Sequence, residues 1–321
     1  MEAAAFDWSF LSEEQDAFTF NLSNATLIEC LDKYAEVKKS IHPSVVGTMN
    51  QIKNHIRQIE FLSHTTISPK HVTSIFYSKF IEMLTGKGLK LSTISNLCNG
   101  IRAVLSWASD YSAVVHPSYK TVDIKKYSSA KLALTADDVS RIYHFNLDAV
   151  KMRPQHRKTL QEVRDMFVLG CNLGQRHSDL VRIERGCFHD GKMIILQQKT
   201  KNKGVVNLVD MTLDRKTTFE ILERYNYEAP YKGDISKYNL HIRELAKIIF
   251  GDETFTVQTV VGNEASIKDV PKSSMVSSHT ARRTFATYNY LVRKLPAQDV
   301  MRATGHTSDK SFHKYICGGD D

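Results

Sequence analysis

No stretch of this 321-residue chain stays apolar for the ~20 residues that a membrane-crossing helix needs. The opening MEAAAFDWSF lacks the basic start and long apolar run of a secretory signal, so a cytoplasmic setting is expected. Cysteine is sparse and scattered, at Cys30, Cys98, Cys171, Cys187 and Cys317, with no CxxC pair. That spacing argues against a zinc ribbon or a disulfide framework and suits reduced thiols. His313 and Cys317 stand four apart near His306, but no second pair of ligands accompanies them, and no metal is expected. There is no GxxxxGKS loop to cradle a triphosphate and no group of carboxylates spaced to hold two magnesium ions, so no cofactor is expected either. Lysine and arginine are missing from the first twenty residues, which hold Glu2, Asp7, Glu13, Glu14 and Asp16.

Beyond that acidic start the chain is cationic. The formal net charge is +8, from 43 Lys and Arg against 35 Asp and Glu, so the positive excess is larger still past residue 25. A surplus of that size favours polyanionic partners such as nucleic acid. With 42% hydrophobic and 24% charged residues the composition is that of an ordered globular protein, and the length suits two domains.

From Thr26 to Tyr111 apolar residues recur with helical spacing. Val45, Met49, Ile52, Ile56 and Ile59 stripe one predicted helix over 43–62, with Pro43 at its first position. Ile94, Leu97, Ile101, Val104 and Ala108 stripe another over 91–109. Shorter helices are predicted at 26–38 and 71–84, and four such stripes make a small bundle with the apolar residues as its core. The period is lost over 112–134, where Pro, Ser and Lys mix as in an exposed connector. Thr135 with Asp138 then forms a capping-box pattern, and helices are predicted at 137–147, 158–172, 213–225, 236–249 and 279–293. One segment, MIILQQKTKNKGVVNLV, reads as a β-hairpin, and Lys199, Lys201 and Lys203 share a face if the strand runs on through them. The expected architecture is mainly α with a small antiparallel β-sheet. It comprises an acidic segment (1–25), a helical domain (26–111), a linker (112–134) and a second domain (135–321).

The second domain carries an ordered series of cations, imidazoles and a phenol. His279 and Arg282 stand at i, i+3, which puts both on one face of a helix, where they can reach one phosphate together. Arg176 follows Gly174 in GCNLGQRHSDLVRI, and Asp179 can hold a neighbouring guanidinium or histidine through a charge-assisted hydrogen bond. Lys199 lies in the hairpin; His306 and Tyr315 close the series. The order Arg176, Lys199, His279, Arg282, His306, Tyr315 resembles the tyrosine recombinase, or phage integrase, family. The spacings agree with that family: 23 residues from Arg176 to Lys199, 24 from Arg282 to His306 and 9 from His306 to Tyr315. The strings HTARRTFAT and TGHTSDKSFHKY are especially similar to integrases of mobile elements in Bacteroides-like bacteria. The resemblance is strong over the second domain. The first matches in architecture, as a helical core-binding domain placed before a catalytic one.

The resemblance implies a site-specific DNA recombinase that cuts through a covalent 3′-phosphotyrosine and rejoins strands in integration, excision or inversion of a mobile element. Arg176 and Arg282, permanently charged and able to donate paired hydrogen bonds, would neutralise the nonbridging oxygens as the pentacoordinate transition state forms, and His306 would add a donor. Tyr315 is then the nucleophile. A phenol is protonated at neutral pH and needs a base or a cationic field, which His279 would supply. Lys199 would protonate the departing 5′ hydroxyl, with Lys201 in reserve. Because the phosphotyrosyl bond conserves the energy of the cut linkage, rejoining requires neither ATP nor a metal.

The implied partners are double-stranded DNA, further copies of the chain in a homotetramer on paired sites, and DNA-bending accessory proteins. No membrane is involved, and the setting is a bacterial cytoplasm, on DNA. Phosphate contacts are expected from Lys53, Arg57 and Arg102 of the bundle, from Lys120, Lys125, Lys126 and Lys131 of the connector, and from Lys201. The acidic segment differs from the basic arm-binding domain of many integrases, and the tail after Tyr315 is shorter than the segment relatives send into a neighbouring protomer. Two other readings share the fold. A type IB-like topoisomerase uses the same residues as a monomer and would relax plasmid lacking any recombination site. A catalytically silent DNA-binding regulator would need neither Tyr315 nor Lys199.

Overall fold

The computed structural model describes residues 21–120, 131–261 and 264–317, and the chain divides into two compact units, Met1–Ser128 and Ser129–Asp321. Most of the acidic start, together with Lys125 and Lys126, lies outside the described residues.

Among its described residues the first unit is built on four α-helices. α1 (Leu27–Lys38) opens with a reciprocal capping box, in which Glu29 N donates to Thr26 Oγ1 (3.2 Å) and Thr26 N donates to the Glu29 carboxylate (2.8 Å). α2 (Val45–Ser63) starts behind Ser44, so Pro43 precedes the helix and does not occupy its first turn. α3 (Ser74–Gly86) begins later than its apolar spacing suggests, because Pro69–His71 closes a separate 3-10 turn and the Thr73 hydroxyl accepts from Phe76 N (3.3 Å). α4 is Leu91–Ser109. Their stripes meet in a core of Met49, Ile52, Ile56, Ile94, Ile101 and Val104 around the buried rings of Tyr77 and Phe80. The helical period written in 43–62 and 91–109 is thus the period of burial.

The second unit is arranged around one long buried helix. α5 (Ala136–His144) begins with the Thr135–Asp138 capping box, both bonds at 3.1 Å. α6 (Pro154–Leu173) starts four residues before its predicted limit because Pro154 occupies the first turn, where a missing N–H costs nothing. α7 (His177–Leu180) is a single turn. An antiparallel sheet follows, β1 (Phe188–His189), β2 (Lys192–Leu196) and β3 (Lys203–Asn207), with Ile194 opposite Val205. Then come α8 (Arg215–Arg224), α9 (Ile235–Phe250), the hairpin β4 (Thr254–Val261) and β5 (Glu264–Pro271), α10 (Lys272–Met275), α11 (Ser278–Thr287), α12 (Ala297–Thr304) and α13 (Asp309–His313). From Asp165 to Leu173 every residue of α6 is buried, and α5, α8, α9 and α11 pack around it. A Cβ on Gly170 would come 3.0 Å from the Ala281 Cβ, so the glycine lets α6 and α11 approach closely.

Three expectations are corrected. The strands stop at Leu196 and resume at Lys203, with Lys201 in the left-handed region (φ 56°), so Lys199 and Lys201 sit in the connecting loop and do not alternate along a strand with Lys203. A second hairpin, β4–β5, was not predicted, although β-branched residues flank a Gly262-Asn263 pair in the sequence. The predicted helix 279–293 is α-helical only to Thr287 and continues as a π-helical turn, Tyr288–Val292. There the buried Asn289 amide donates to Phe285 O and Met211 O, both at 2.9 Å, holding the widened turn against the loop after β3.

Candidate active site

Two helix ends and one helix start bring the cationic residues together. α6 terminates at Gly174 in the left-handed conformation (φ 66°), and a Cβ there would lie 2.3 Å from the Phe285 ring. Only glycine meets both demands. The chain then turns into the cleft and presents Arg176, whose side chain is 15% exposed, as the residue before α7. α12 terminates in the same way at Gly305 (φ 66°), and His306 follows. α11 supplies His279 and Arg282 from its first turns, the loop between β2 and β3 supplies Lys199, and Tyr315 follows α13. All but Arg282 line one cleft of about 620 Å³, and Arg282 lies buried behind it.

Arg282 has no exposed surface. Its Nη1 donates to Gly174 O (3.0 Å), its Nη2 faces His306 Nε2 at 3.4 Å, and its Nε is buried without a hydrogen-bond partner. Its guanidinium carbon lies 5.5 Å from the centre of the Tyr315 ring. Burial, and then the charge of Arg176, lower its pKa to about 9, which leaves it protonated at neutral pH. Arg176 Nη1 donates to Gln197 Oε1 at 3.1 Å and stands 3.9 Å from Asp179. Asp179, fully buried, accepts at Oδ1 from Arg182 Nη2 and from the Gln198 N–H, each at 2.8 Å, while its Oδ2, without a hydrogen bond, is the oxygen 3.9 Å from Arg176. The cations of the cleft are therefore close together with Asp179 as the carboxylate beside them, an excess of positive charge that a phosphodiester relieves.

His306 is a neutral ring protonated at Nδ1. Thr304 Oγ1 spends its proton on Val300 O (2.6 Å), so at 2.8 Å it can only accept from His306 Nδ1–H. The other ring nitrogen, Nε2, is then a bare acceptor facing Arg282. Burial, Arg282 and Arg176 push the His306 pKa down to about 3, in keeping with this neutral ring. His279 is also held below its ordinary pKa, by burial first and then by Arg283, Arg282, Arg176 and Lys199. Its Nδ1 lies 3.3 Å from the Tyr315 hydroxyl of the same chain. The Tyr315 backbone is anchored through Thr287, whose hydroxyl accepts from Cys317 N (3.1 Å) and reaches Tyr315 O at 3.5 Å. The Tyr315 and His306 rings lie 4.6 Å apart.

Sequence reasoning missed the glutamines that brace this cluster. Gln197 and Gln175 are both fully buried. Gln197 Oε1 accepts from Arg176 and from Thr200 Oγ1 (3.1 Å), while its Nε2 donates to Gln175 Oε1 (2.9 Å). Gln175 Nε2 in turn donates to Leu173 O and Ala303 O, both at 2.8 Å. The pair therefore joins the ends of α6 and α12 to the loop that carries Lys199. Two glutamines 22 positions apart make no local motif, so only their meeting in space identifies them.

The other cations fare differently. Lys53 is 14% exposed and ion-paired with Asp32. Arg57 and Lys120 are exposed, the latter over the Tyr119 ring. Arg102 is half-buried near Tyr77 and Cys98. Lys131 donates to Lys314 O beside Tyr315, and Lys201 is exposed in the β2–β3 loop.

No family model and no curated protein matches the chain. Solved structures do. A lambda integrase dimer bound to a COC′ core site aligns with a TM-score of 0.62 at 15% identity, covering 90% of this chain and 77% of that one. The Tn1549 transposon integrase in complex with transposon right-end DNA gives 0.66 at 13% identity, covering 92% and 96%. A lambda integrase tetramer bound to a Holliday junction gives 0.60 at 16% identity, covering 92% and 78%.

Proposed function

We propose that this chain, which has the fold of the tyrosine recombinase integrases, is a site-specific DNA recombinase acting through a 3′-phosphotyrosine intermediate in integration, excision or inversion of a mobile element. The observation that carries the reading is the meeting, within one chain, of the Tyr315 hydroxyl with His279 Nδ1 at 3.3 Å, beside Arg282, His306, Arg176 and Lys199. Residues 26–111 serve as the core-binding domain, 112–134 as the connector and 135–321 as the catalytic domain.

In this mechanism Arg176, which lines the cleft, draws a phosphodiester in, and Arg282, buried behind the Tyr315 ring, joins it on the nonbridging oxygens as that ring moves toward phosphorus. Tyr315 Oη attacks phosphorus while its proton passes to His279 Nδ1, which is neutral and therefore able to accept at pH 7. The bond from phosphorus to the 5′ oxygen breaks, and Lys199 protonates that oxygen as it leaves. The products are a 3′-phosphotyrosine and a free 5′ hydroxyl; attack by the 5′ hydroxyl of another strand reverses the steps and joins new partners. His306 enters with Nε2 unprotonated, so it donates to the phosphate only after that nitrogen gains a proton. The negative charge of the bound phosphate favours this gain. Because Tyr315 meets the histidine of its own chain, cleavage in cis is the expected mode.

The substrate is double-stranded DNA, and the working assembly is a homotetramer on paired sites, with DNA-bending accessory proteins compatible with it. Integrase relatives solved as a DNA-bound dimer and as a tetramer on a Holliday junction support the reading. Among the described residues no helix is long and apolar enough to cross a membrane; the setting proposed is bacterial cytoplasm. The test is covalent capture from a pool of nicked duplexes of randomised sequence. Wild type should become joined to DNA through Tyr315 and Tyr315→Phe should not, while Arg176→Ala and Arg282→Ala bind DNA but lose most cleavage. An adduct formed equally by the Phe variant overturns the reading. Relaxation of plasmid without selected sites would favour a type IB-like topoisomerase instead.

A further inference from the structure

We propose that His156, His241 and Glu244 form a binding site for a divalent transition-metal ion, zinc in the first instance, independent of the recombination cleft. His156 lies in the first turn of α6, and His241 and Glu244 lie three apart on one face of α9. Their ligand atoms all fall within 4.8 Å of one another. His156 Nε2 is 2.7 Å from one Glu244 oxygen, and His241 Nδ1 is 3.5 Å from the other.

A simple histidine–glutamate hydrogen bond accounts for only half of this arrangement. It satisfies His156 and leaves His241 Nδ1 buried, aimed at the carboxylate, and without a hydrogen bond. A buried polar atom left in that state asks for a partner. A zinc ion at about 2.0–2.1 Å from each ligand atom supplies one for all three, with ligand atoms then roughly 3.3 Å apart. The two separations to Glu244, 2.7 and 3.5 Å, bracket that value. Two imidazoles and one carboxylate suit zinc, cobalt or nickel better than magnesium or calcium, and a three-residue set leaves a fourth position for water. The side chains are 34%, 20% and 40% exposed, so the cluster lies near the surface although His241 Nδ1 itself is covered.

A bound ion would clip the start of α6 to the middle of α9. On α9, Asn239 accepts a hydrogen bond from Ser278 N (2.8 Å), next to His279, so the clip would steady one wall of the cleft without entering its chemistry.

The test uses the full chain, stripped with chelator and titrated with Co²⁺ and then Zn²⁺. One equivalent of Co²⁺ should bind with weak visible bands and no thiolate charge-transfer band, and Zn²⁺ at a hundredfold excess over Kd should raise Tm by about 5–10 °C. His156→Gln, which keeps a donor for Glu244 and so preserves the fold, and His241→Ala should both abolish these effects. Absence of saturable one-equivalent binding, retention of it by either variant, or a thiolate band would overturn the proposal.

Discussion

Replacing Gln197 by Leu should slow DNA cleavage by disarming Arg176 without touching DNA itself. The substitution roughly conserves volume but removes the acceptor that fixes Arg176 Nη1 at 3.1 Å and the donor that satisfies the buried Gln175 Oε1 at 2.9 Å. A lost hydrogen bond to a charged group costs about 1.5–3 kcal/mol, and a buried oxygen left unsatisfied about 1–3 kcal/mol. Arg176 can turn toward water in the cleft and recover part of this, so a net loss of about 3 kcal/mol is expected, equivalent to a Tm fall of about 6–12 °C in a unit of this size. For catalysis, a guanidinium displaced by about 1 Å costs on the order of 100-fold in rate. The assay is single-turnover formation of the covalent adduct, well below Tm, in a double-mutant cycle with Arg176→Ala. If Gln197 acts through Arg176, the Leu substitution slows the wild-type background about 100-fold and the Arg176→Ala background hardly at all. Equal slowing in both backgrounds, or none in either, would refute the positioning role. DNA affinity at fixed salt should change little in either case.

Two further predictions concern the residues around this brace. Gly305→Ala forces a side chain onto φ 66° and puts its Cβ 1.7 Å from Gln197 Oε1; it should cost about 1–3 kcal/mol in urea unfolding and reproduce the cleavage defect of Gln197→Leu. His306 falls from an ordinary pKa of 6.5 to about 3 in the folded chain, so the unfolded state takes up the proton first as pH drops. The stability His306 contributes above pH 6.5 is then lost between there and about pH 3, and His306→Gln should show a shallower fall of Tm from pH 7 to pH 5 than wild type. Parallel slopes for the two proteins would mean that the imidazole is not held neutral.

The helical stripes of the first unit were legible because burial follows the same 3.6-residue period as the apolar side chains, and Ile94, Leu97, Ile101 and Val104 report it directly. The Thr135 cap was equally local, whereas the Thr26 cap went unread and the helix was begun one residue early. The second hairpin left only β-branched residues and a Gly-Asn pair as its trace, a signal weaker than the helical periods around it. The π-helical turn after Thr287 left no local trace, and the contact that holds it, Asn289 to Met211 O, spans 78 positions. Lys53 shows the limit for surface charge: its pairing with Asp32 joins two helices and cannot be read from either one.

The chain itself supplied the chemical inventory: the order and spacing of Arg176, Lys199, His279, Arg282, His306 and Tyr315, and Gly174 before the first of them. Residue type and separation along the chain are enough for that, because local backbone preferences act over a few residues. Only the tertiary structure decided which nitrogen of His306 carries its proton, that Asp179 divides its two oxygens between Arg182 and Arg176, and that two buried glutamines hold Arg176 in place. Those outcomes depend on burial and on hydrogen-bond partners from elements far apart in sequence, and the low dielectric that gives them their strength exists only once the chain has folded.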